Sequence, residues 1–254
     1  PVECFEDVPR TSAPPDAGCV SLLVVHALIL WDVDHTLVDN AGVSKETYGA
    51  AFAALAGFQP RTPAHTSGRT DRLIMREMFA AHHLQGPGWS AVYDALQKAG
   101  EERFAAMRER GSVLPGVWDV LAALAERPGI VQSLLTGNIK PNARMKVTAS
   151  GIGEFFEFDV GGYGEDSEDR SELVPIAQRR ASIAHRQAFD KNNTILIGDT
   201  PRDVEAGRRG GARVLAVASG VHSAAQLHAA GQASVLEDLQ DTRQFMAVVN
   251  VLLG

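Results

Sequence analysis

Two aspartates, Asp32 and Asp34, stand one residue apart in D-V-D-H-T, directly after an apolar run. Thr136, Gly137 and Asn138 end a second apolar run, and Asp199 and Asp203, in G-D-T-P-R-D, follow a third. In an open parallel sheet the ligand crevice lies at the carboxyl ends of the strands, so these clusters should converge although they are far apart in the chain. Carboxylates brought together repel and raise one another's pKa. A set made of Asp32, Asp34, Asp199 and Asp203 therefore calls for a cation. Oxygen donors with no His or Cys among them favour Mg2+, and Mg2+ points in turn to a phosphate-bearing substrate. A single Asp after a strand is ordinarily a helix cap or turn residue. Three polar clusters on three strand ends are not explained that way.

The elements that must place these residues follow from periodicity. Residues 27–31 are wholly apolar and read as a central strand. Further strands are expected at 130–135, 158–160, 194–197 and 213–218, with helices between them: one from Val117 to Leu124, one up to about Ser150, one over 172–188 and one over 204–209. Such alternation predicts an α/β fold, a Rossmann-like doubly wound parallel sheet with helices on both faces. Residues 41–110 break the rhythm. Tyr48, Ala51, Phe52 and Leu55 share one helical face, with Ser44 as N-cap and Gly57 as stop. Thr70 caps a second helix, and Pro87 opens a third that runs out near Gly111. The expected organisation is a flexible tail over 1–26, a catalytic core over 27–40 and 111–254, and an all-helical cap inserted over 41–110. The acidic stretch G-E-D-S-E-D-R at 164–170 reads as a solvated loop.

The chain has 254 residues, 45% hydrophobic and 22% charged, a balance that excludes wholesale disorder. Its two cysteines, Cys4 and Cys19, exclude a disulfide scaffold or a C-x-x-C zinc site and fit a reducing, cytoplasmic setting. Net charge is −7 and no basic stripe is present, so nucleic acid is not the expected partner. The apolar run 19–31 is too short to span a bilayer, so no membrane role is expected. Gly161, Gly162 and Gly164 lack the spacing of a dinucleotide loop. His82, His83, His185, His222 and His228 form no ligand set and read as surface residues; His35, next to the motif's second acid, has a place from which it could face the cap, although a packed or solvent-exposed histidine is the commoner outcome.

Taken together, D-V-D-H-T-L-V-D (32–39), L-L-T-G-N (134–138) and I-G-D-T-P-R-D-V (197–204) resemble, in order and spacing, the motifs of the haloacid dehalogenase-like superfamily. The resemblance covers roughly 27 to 250. The helical block looks like the cap that this family inserts between its first two motifs, and phosphoglycolate phosphatase-like members are the nearest in pattern. The resemblance implies that Asp32 is a nucleophile forming an aspartyl-phosphate and that Asp34 is an acid and base. It implies that Thr136, Gly137 and Asn138 hold phosphoryl oxygens. It also implies that Mg2+ is held by Asp32, Asp199 and the backbone carbonyl of Asp34, with Asp203 at its edge. The family's usual lysine before the last motif has no direct counterpart. Lys140-Pro141 belongs to the second motif's helix, Lys146 falls too early and Lys191 too late. Arg170, just ahead of a helix, has the required place. S-G-R-T-D (67–71) resembles the specificity loop of helical caps, which would let Arg69 meet a substrate anion.

The function expected from this set is Mg2+-dependent hydrolysis of small phosphorylated metabolites. A phosphosugar mutase shares the capped fold and both aspartates, but would need a bisphosphate activator. A phosphonate hydrolase would need a cap lysine, and 46–110 offers only Lys98. A binding module would not require the intact Asp32, Asp34, Thr136 and Asp199 set. The acid at position 34 argues against a dehalogenase, because halide leaves without a proton. Oligomeric state is not legible.

Overall fold

The computed structural model describes residues 27–232 and 234–254. The expected tail over 1–26, both cysteines and the first part of the apolar run lie outside the described residues. Strand β1, Ala27–Trp31, is buried along its whole length. Its alternate residues serve two faces. Ile29 and Trp31 pack toward α5 (Val117–Ala125), α6 (Lys140–Ala149) and α10 (Thr242–Leu253). Leu28 and Leu30 pack toward α7 (Arg170–His185) and α8 (Pro201–Gly210). A strand covered on both faces has no polar side to show, which is why its sequence is an unbroken apolar run.

Around β1 stand β4 (Ile130–Thr136), β6 (Thr194–Gly198), β7 (Arg213–Val217), β5 (Gly162–Tyr163) and β8 (Val235–Leu236). The order is β5-β4-β1-β6-β7-β8, and every pairing is parallel. Trp31 anchors the centre: its indole nitrogen donates to Gln132 Oε1 at 3.1 Å and its ring stacks on Phe245. A short helix, α9 (Ala224–Ala229), follows β7.

Between β1 and β4 the chain leaves through β2 (Val38–Asp39) and returns through β3 (Ser112–Val113), which pair antiparallel. The segment between holds α1 (Val43–Ala56), α2 (Asp71–Ala81), α3 (Trp89–Glu101) and α4 (Phe104–Arg110), and no strand. Phe52, Met75, Phe79 and Leu96 form a separate apolar cluster there, to which the core contributes Ile139.

Several local expectations need correction. Ser44 is not an N-cap but lies inside α1, its hydroxyl turned to Asp34 and Asn40. The expected third helix divides near Glu102 into α3 and α4. Phe158–Val160 is a 3-10 turn, and the edge strand is Gly162–Tyr163, two residues on. Tyr163 hydroxyl donates to Phe158 carbonyl at 2.7 Å, tying that turn down beside the strand. His82 is wedged among Phe52, Phe58 and the 61 turn rather than lying free on the surface, with Nε2 accepting from Arg61 N–H at 2.9 Å.

Candidate active site

The carboxyl ends of β1, β4 and β6 meet over one cavity of about 330 Å³, lined by Asp32, Asp34, Thr136, Asn138, Arg69 and Tyr48 among others. Asp32 directly follows β1 and its N–H donates to Ile197 carbonyl at 2.9 Å, which fixes it between two strands. Asp32, Asp199 and Asp203 each bring a carboxylate oxygen within 4.8 Å of the others. Asp203 belongs to the first turn of α8. Its Oδ2 accepts from Thr200 N–H at 3.0 Å and Thr200 hydroxyl at 2.6 Å, and Thr200 in turn caps the helix. Asp199 Oδ1 accepts from Thr36 hydroxyl at 3.1 Å. Its Oδ2 lies 1.8 Å from where a Cβ on Gly220 would stand, so only glycine lets the 219–221 loop close behind it.

Arg170 opens α7 and is almost fully buried. Its Nη2 lies 2.6 Å from Asp32 Oδ1 and 2.6 Å from Asp203 Oδ1, and also donates to Leu135 carbonyl at 3.3 Å. This single cation faces three carboxylates. Burial raises the Asp32 pKa and Arg170 lowers it, while Asp203 and Asp34 raise it further, leaving it at about 6. Burial, then repulsion from Asp32 and Asp203, carries Asp199 to about 8 against the pull of Thr36 and Arg170. Arg170 itself is held charged: burial opposes the charge, but Asp203 and Asp32 prevail.

The Asp34 side chain is not part of this cluster. Its Oδ1 accepts from Asn40 Nδ2 at 2.6 Å and from Lys146 Nζ at 2.8 Å; its Oδ2 accepts from Lys146 Nζ at 2.6 Å and from Asn138 Nδ2 at 2.9 Å. Burial would raise its pKa, but the charge and hydrogen bonds of Lys146, aided by Asn138 and Asn40, outweigh it and hold Asp34 at about 2. The Asn138 amide is fully engaged, donating also to Thr136 Oγ1 at 2.8 Å and accepting from Lys146 at 2.7 Å. Arg69 lies on the cavity wall with Nε 3.3 Å from Glu77.

Gly137 serves a contact as well as a lining. A Cβ there would fall 1.9 Å from Arg69 carbonyl, and Gly137 carbonyl accepts from Asp71 N–H at 2.7 Å. The start of α2 thus rests on the 136–138 loop. Buried Asp71 accepts from Tyr48 hydroxyl at 2.6 Å and from Ile139 N–H at 2.8 Å. The acidic stretch 164–170, expected to be merely solvated, joins this docking: Glu165 carbonyl accepts from Arg72 Nε at 2.8 Å, Glu168 carbonyl accepts from Thr70 hydroxyl at 3.1 Å, and Glu168 pairs with Arg76.

Sequence reasoning missed Lys146, Asn40, Thr36, Gly220 and the Tyr48–Asp71 pair. For Lys146 a signal existed. Asn142, Ala143, Lys146 and Val147 form the buried face of α6, and a lysine on such a face needs a carboxylate partner.

A family model for haloacid dehalogenase-like hydrolases matches residues 29–208. Among curated relatives, a phosphoglycolate phosphatase of Pseudomonas savastanoi pv. phaseolicola is 26% identical over 225 residues, covering 84% of this chain and 77% of its own. Among solved structures, a hydrolase from Pseudomonas syringae superposes with a TM-score of 0.63 at 18% identity, covering 89% of this chain and 99% of its own. A Bacteroides vulgatus protein named for β-phosphoglucomutase superposes with a TM-score of 0.62 at 16% identity, covering 91% of each chain.

Proposed function

Because the chain belongs to the haloacid dehalogenase-like hydrolase family, with residues 29–208 matched, we propose that it hydrolyses phosphomonoesters of small metabolites through an aspartyl-phosphate on Asp32, with Mg2+ as cofactor. The observation that carries this reading is the buried cluster of Asp32, Asp199 and Asp203 around Arg170 at the strand ends. The residues present fit a hard divalent cation: oxygen donors only, crowded enough that burial and mutual repulsion raise Asp32 to about 6 and Asp199 to about 8, with one arginine to balance three carboxylates. Asp32, Asp199 and the backbone carbonyl of Asp34 would hold it, with Asp203 at its edge. When bound, it would neutralise charge on the phosphoryl group.

The chain's own groups supply the rest. Arg170 fixes Asp32 Oδ1, while Oδ2 takes no hydrogen bond from the described residues and is the oxygen assigned to attack phosphorus. As the new O–P bond forms and the ester O–P bond breaks, the departing oxygen takes a proton from Asp34. Asp34 then accepts a proton from the water that cleaves the aspartyl-phosphate. The ionised Asp34 of the resting site suits the second step; for the first, the arriving phosphate dianion raises its proton affinity. Thr136 and the 137–138 loop border the phosphoryl position. The block 41–110, entered and left through β2 and β3, acts as a lid that excludes water and bulky substrates. Arg69 on its wall would face the remainder of the substrate.

The test is a panel of phosphorylated metabolites and p-nitrophenyl phosphate, assayed with and without Mg2+. Free phosphate released only with the metal is the expected result. Isomerisation of a sugar phosphate without phosphate release would make the protein a mutase, and no turnover of any kind would leave a binding module.

The proton-laden cluster also sets a pH dependence. Asp32 and Asp199 bind protons more tightly in the folded protein than in the unfolded chain. Their contribution to the stability of the metal-free protein is therefore full at low pH and is lost as pH rises through about 6 and 8. A cation must displace those protons. The rise in melting temperature produced by Mg2+ is thus expected to grow from pH 6 to pH 8, with affinity tightening about tenfold or more. An unchanged shift across that range contradicts the cluster as the cation's seat.

A further inference from the structure

Lys146 is a buried charged group that the proposed chemistry leaves unused. It sits on α6, two turns beyond Asn138, and is only 3% exposed, whereas the Asp34 side chain it meets is 31% exposed to the cavity. All three ammonium protons are accounted for: one to each Asp34 oxygen, at 2.8 and 2.6 Å, and one to Asn138 Oδ1 at 2.7 Å. Asn138 completes a closed ring by donating to Asp34 Oδ2. From the cap side, Asn40 and Ser44, at the start of the helical block, donate to Asp34 Oδ1 at 2.6 and 3.3 Å. Asp34 is therefore gripped from two directions, by the helix after the second motif and by the segment leading into the cap.

We propose that Lys146 is a positioning residue for Asp34: with Asn138 it forms a fixed fork on the core that sets where the Asp34 carboxylate stands relative to the reacting phosphoryl group. The lysine contacts neither Asp32 nor Asp199 and is separated from the cavity by the carboxylate it holds, so it acts through Asp34. A carboxylate that must give and take a proton within hydrogen-bond reach loses rate steeply when displaced by about 1 Å. Without the fork, Asp34 keeps only Asn40, at the junction of core and cap, and Ser44, in the first turn of α1 on the cap side. The inference rests on Asp34 being the acid and base.

The experiment is a double-mutant cycle of Lys146→Met and Asp34→Asn, run on an alkyl phosphate and on p-nitrophenyl phosphate, with melting temperature as a check on folding. Asp34→Asn alone is expected to slow the alkyl ester by about 10²- to 10⁴-fold, the usual scale for a proton-transfer group. Lys146→Met is expected to lower kcat for the alkyl ester by about 10- to 100-fold. It should affect p-nitrophenyl phosphate less, since that leaving group needs little protonation, and leave KM within about threefold. In the Asp34→Asn background Lys146→Met should cost nothing more, and Lys146→Arg should return part of the loss by restoring the charge. Equal losses on both esters, a loss confined to KM, additive effects in the double variant, or a fully active Lys146→Met overturn the proposal. If Asp34→Asn itself is fully active, it is instead the acid–base reading that has failed. A Lys146→Met protein that does not fold moves the test to Lys146→Gln and Asn138→Ala, for which the same ester-dependent loss is required.

Discussion

Asp32→Asn is expected to reduce phosphate release to below about 1% of wild type, on good and poor leaving groups alike, because the covalent route disappears with the attacking oxygen. The substitution preserves shape in a site that is tightly walled: Asp32 is 5% exposed and held by Ile197 carbonyl on one side and Arg170 on the other. The amide also removes one of three crowded carboxylates. The metal-free variant should therefore melt at or above the wild-type temperature, while Arg170 keeps its contact with Asp203. Initial rates on p-nitrophenyl phosphate together with a thermal melt separate these outcomes. A stable variant with more than about 1% activity would mean that Asp32 is not the nucleophile.

Arg170→Ala is expected to cost about 10²- to 10³-fold in kcat/KM, the scale of losing a fixed donor that stabilises transition-state charge. Neither Lys146 nor Arg180 can deputise: Lys146 has all its protons on Asp34 and Asn138, and Arg180 is engaged with Asp166 and Gly161 carbonyl. Unlike the Asp32 variant, this one should also lose stability, of order 3 kcal/mol, because the partner of two buried carboxylates is gone. The loss should be larger at pH 8 than at pH 6, since Asp32 takes up a proton near pH 6 and relieves the imbalance. Arg170→Lys should recover part of the rate, because one charge returns without the planar fork. A near-wild-type Arg170→Ala, measured at saturating Mg2+, would mean that the carboxylates are balanced by other means.

What the sequence disclosed, and what it hid, divides along a physical line. The strands bearing Asp32, Thr136 and Asp199 are apolar because they are buried on both faces, and a parallel sheet puts its crevice at their carboxyl ends. Linear pattern and three-dimensional position therefore coincide for those residues, whereas Arg170 is reached only through the family's motif order, as the cation standing ahead of the helix that precedes the last motif. Motif spacing along the chain carries no sign of Lys146, because its contact with Asp34 depends on which side of α6 faces inward. The 164–170 loop hides its docking for a different reason. A run of acids has the same local signature whether water surrounds it or Arg72 and Arg76 dock against it, and only the tertiary arrangement distinguishes the two. The misplaced edge strand shows the limit of short elements. Phe158–Val160 carries the apolar signal, yet two residues, Gly162 and Tyr163, make the pairing.

The antiparallel pairing of Val38 with Val113 bears on how this protein folds. Trp31 and Gln132, neighbours in the finished sheet, are 101 residues apart in the chain, and most of that separation is the inserted block of helices. Loop-closure entropy grows only with the logarithm of length, so lengthening a connection of roughly 30 residues to roughly 100 adds about 1 kcal/mol to the cost of bringing β1 beside β4. The pairing of β2 with β3 closes that loop, so the cost falls on this step and is not met a second time when β1 comes beside β4. Its helices close their own backbone hydrogen bonds locally and can form on a faster clock than the sheet. Insertions, deletions or a wholesale exchange of residues between Asp39 and Ser112 should consequently leave the refolding rate of the sheet nearly unchanged.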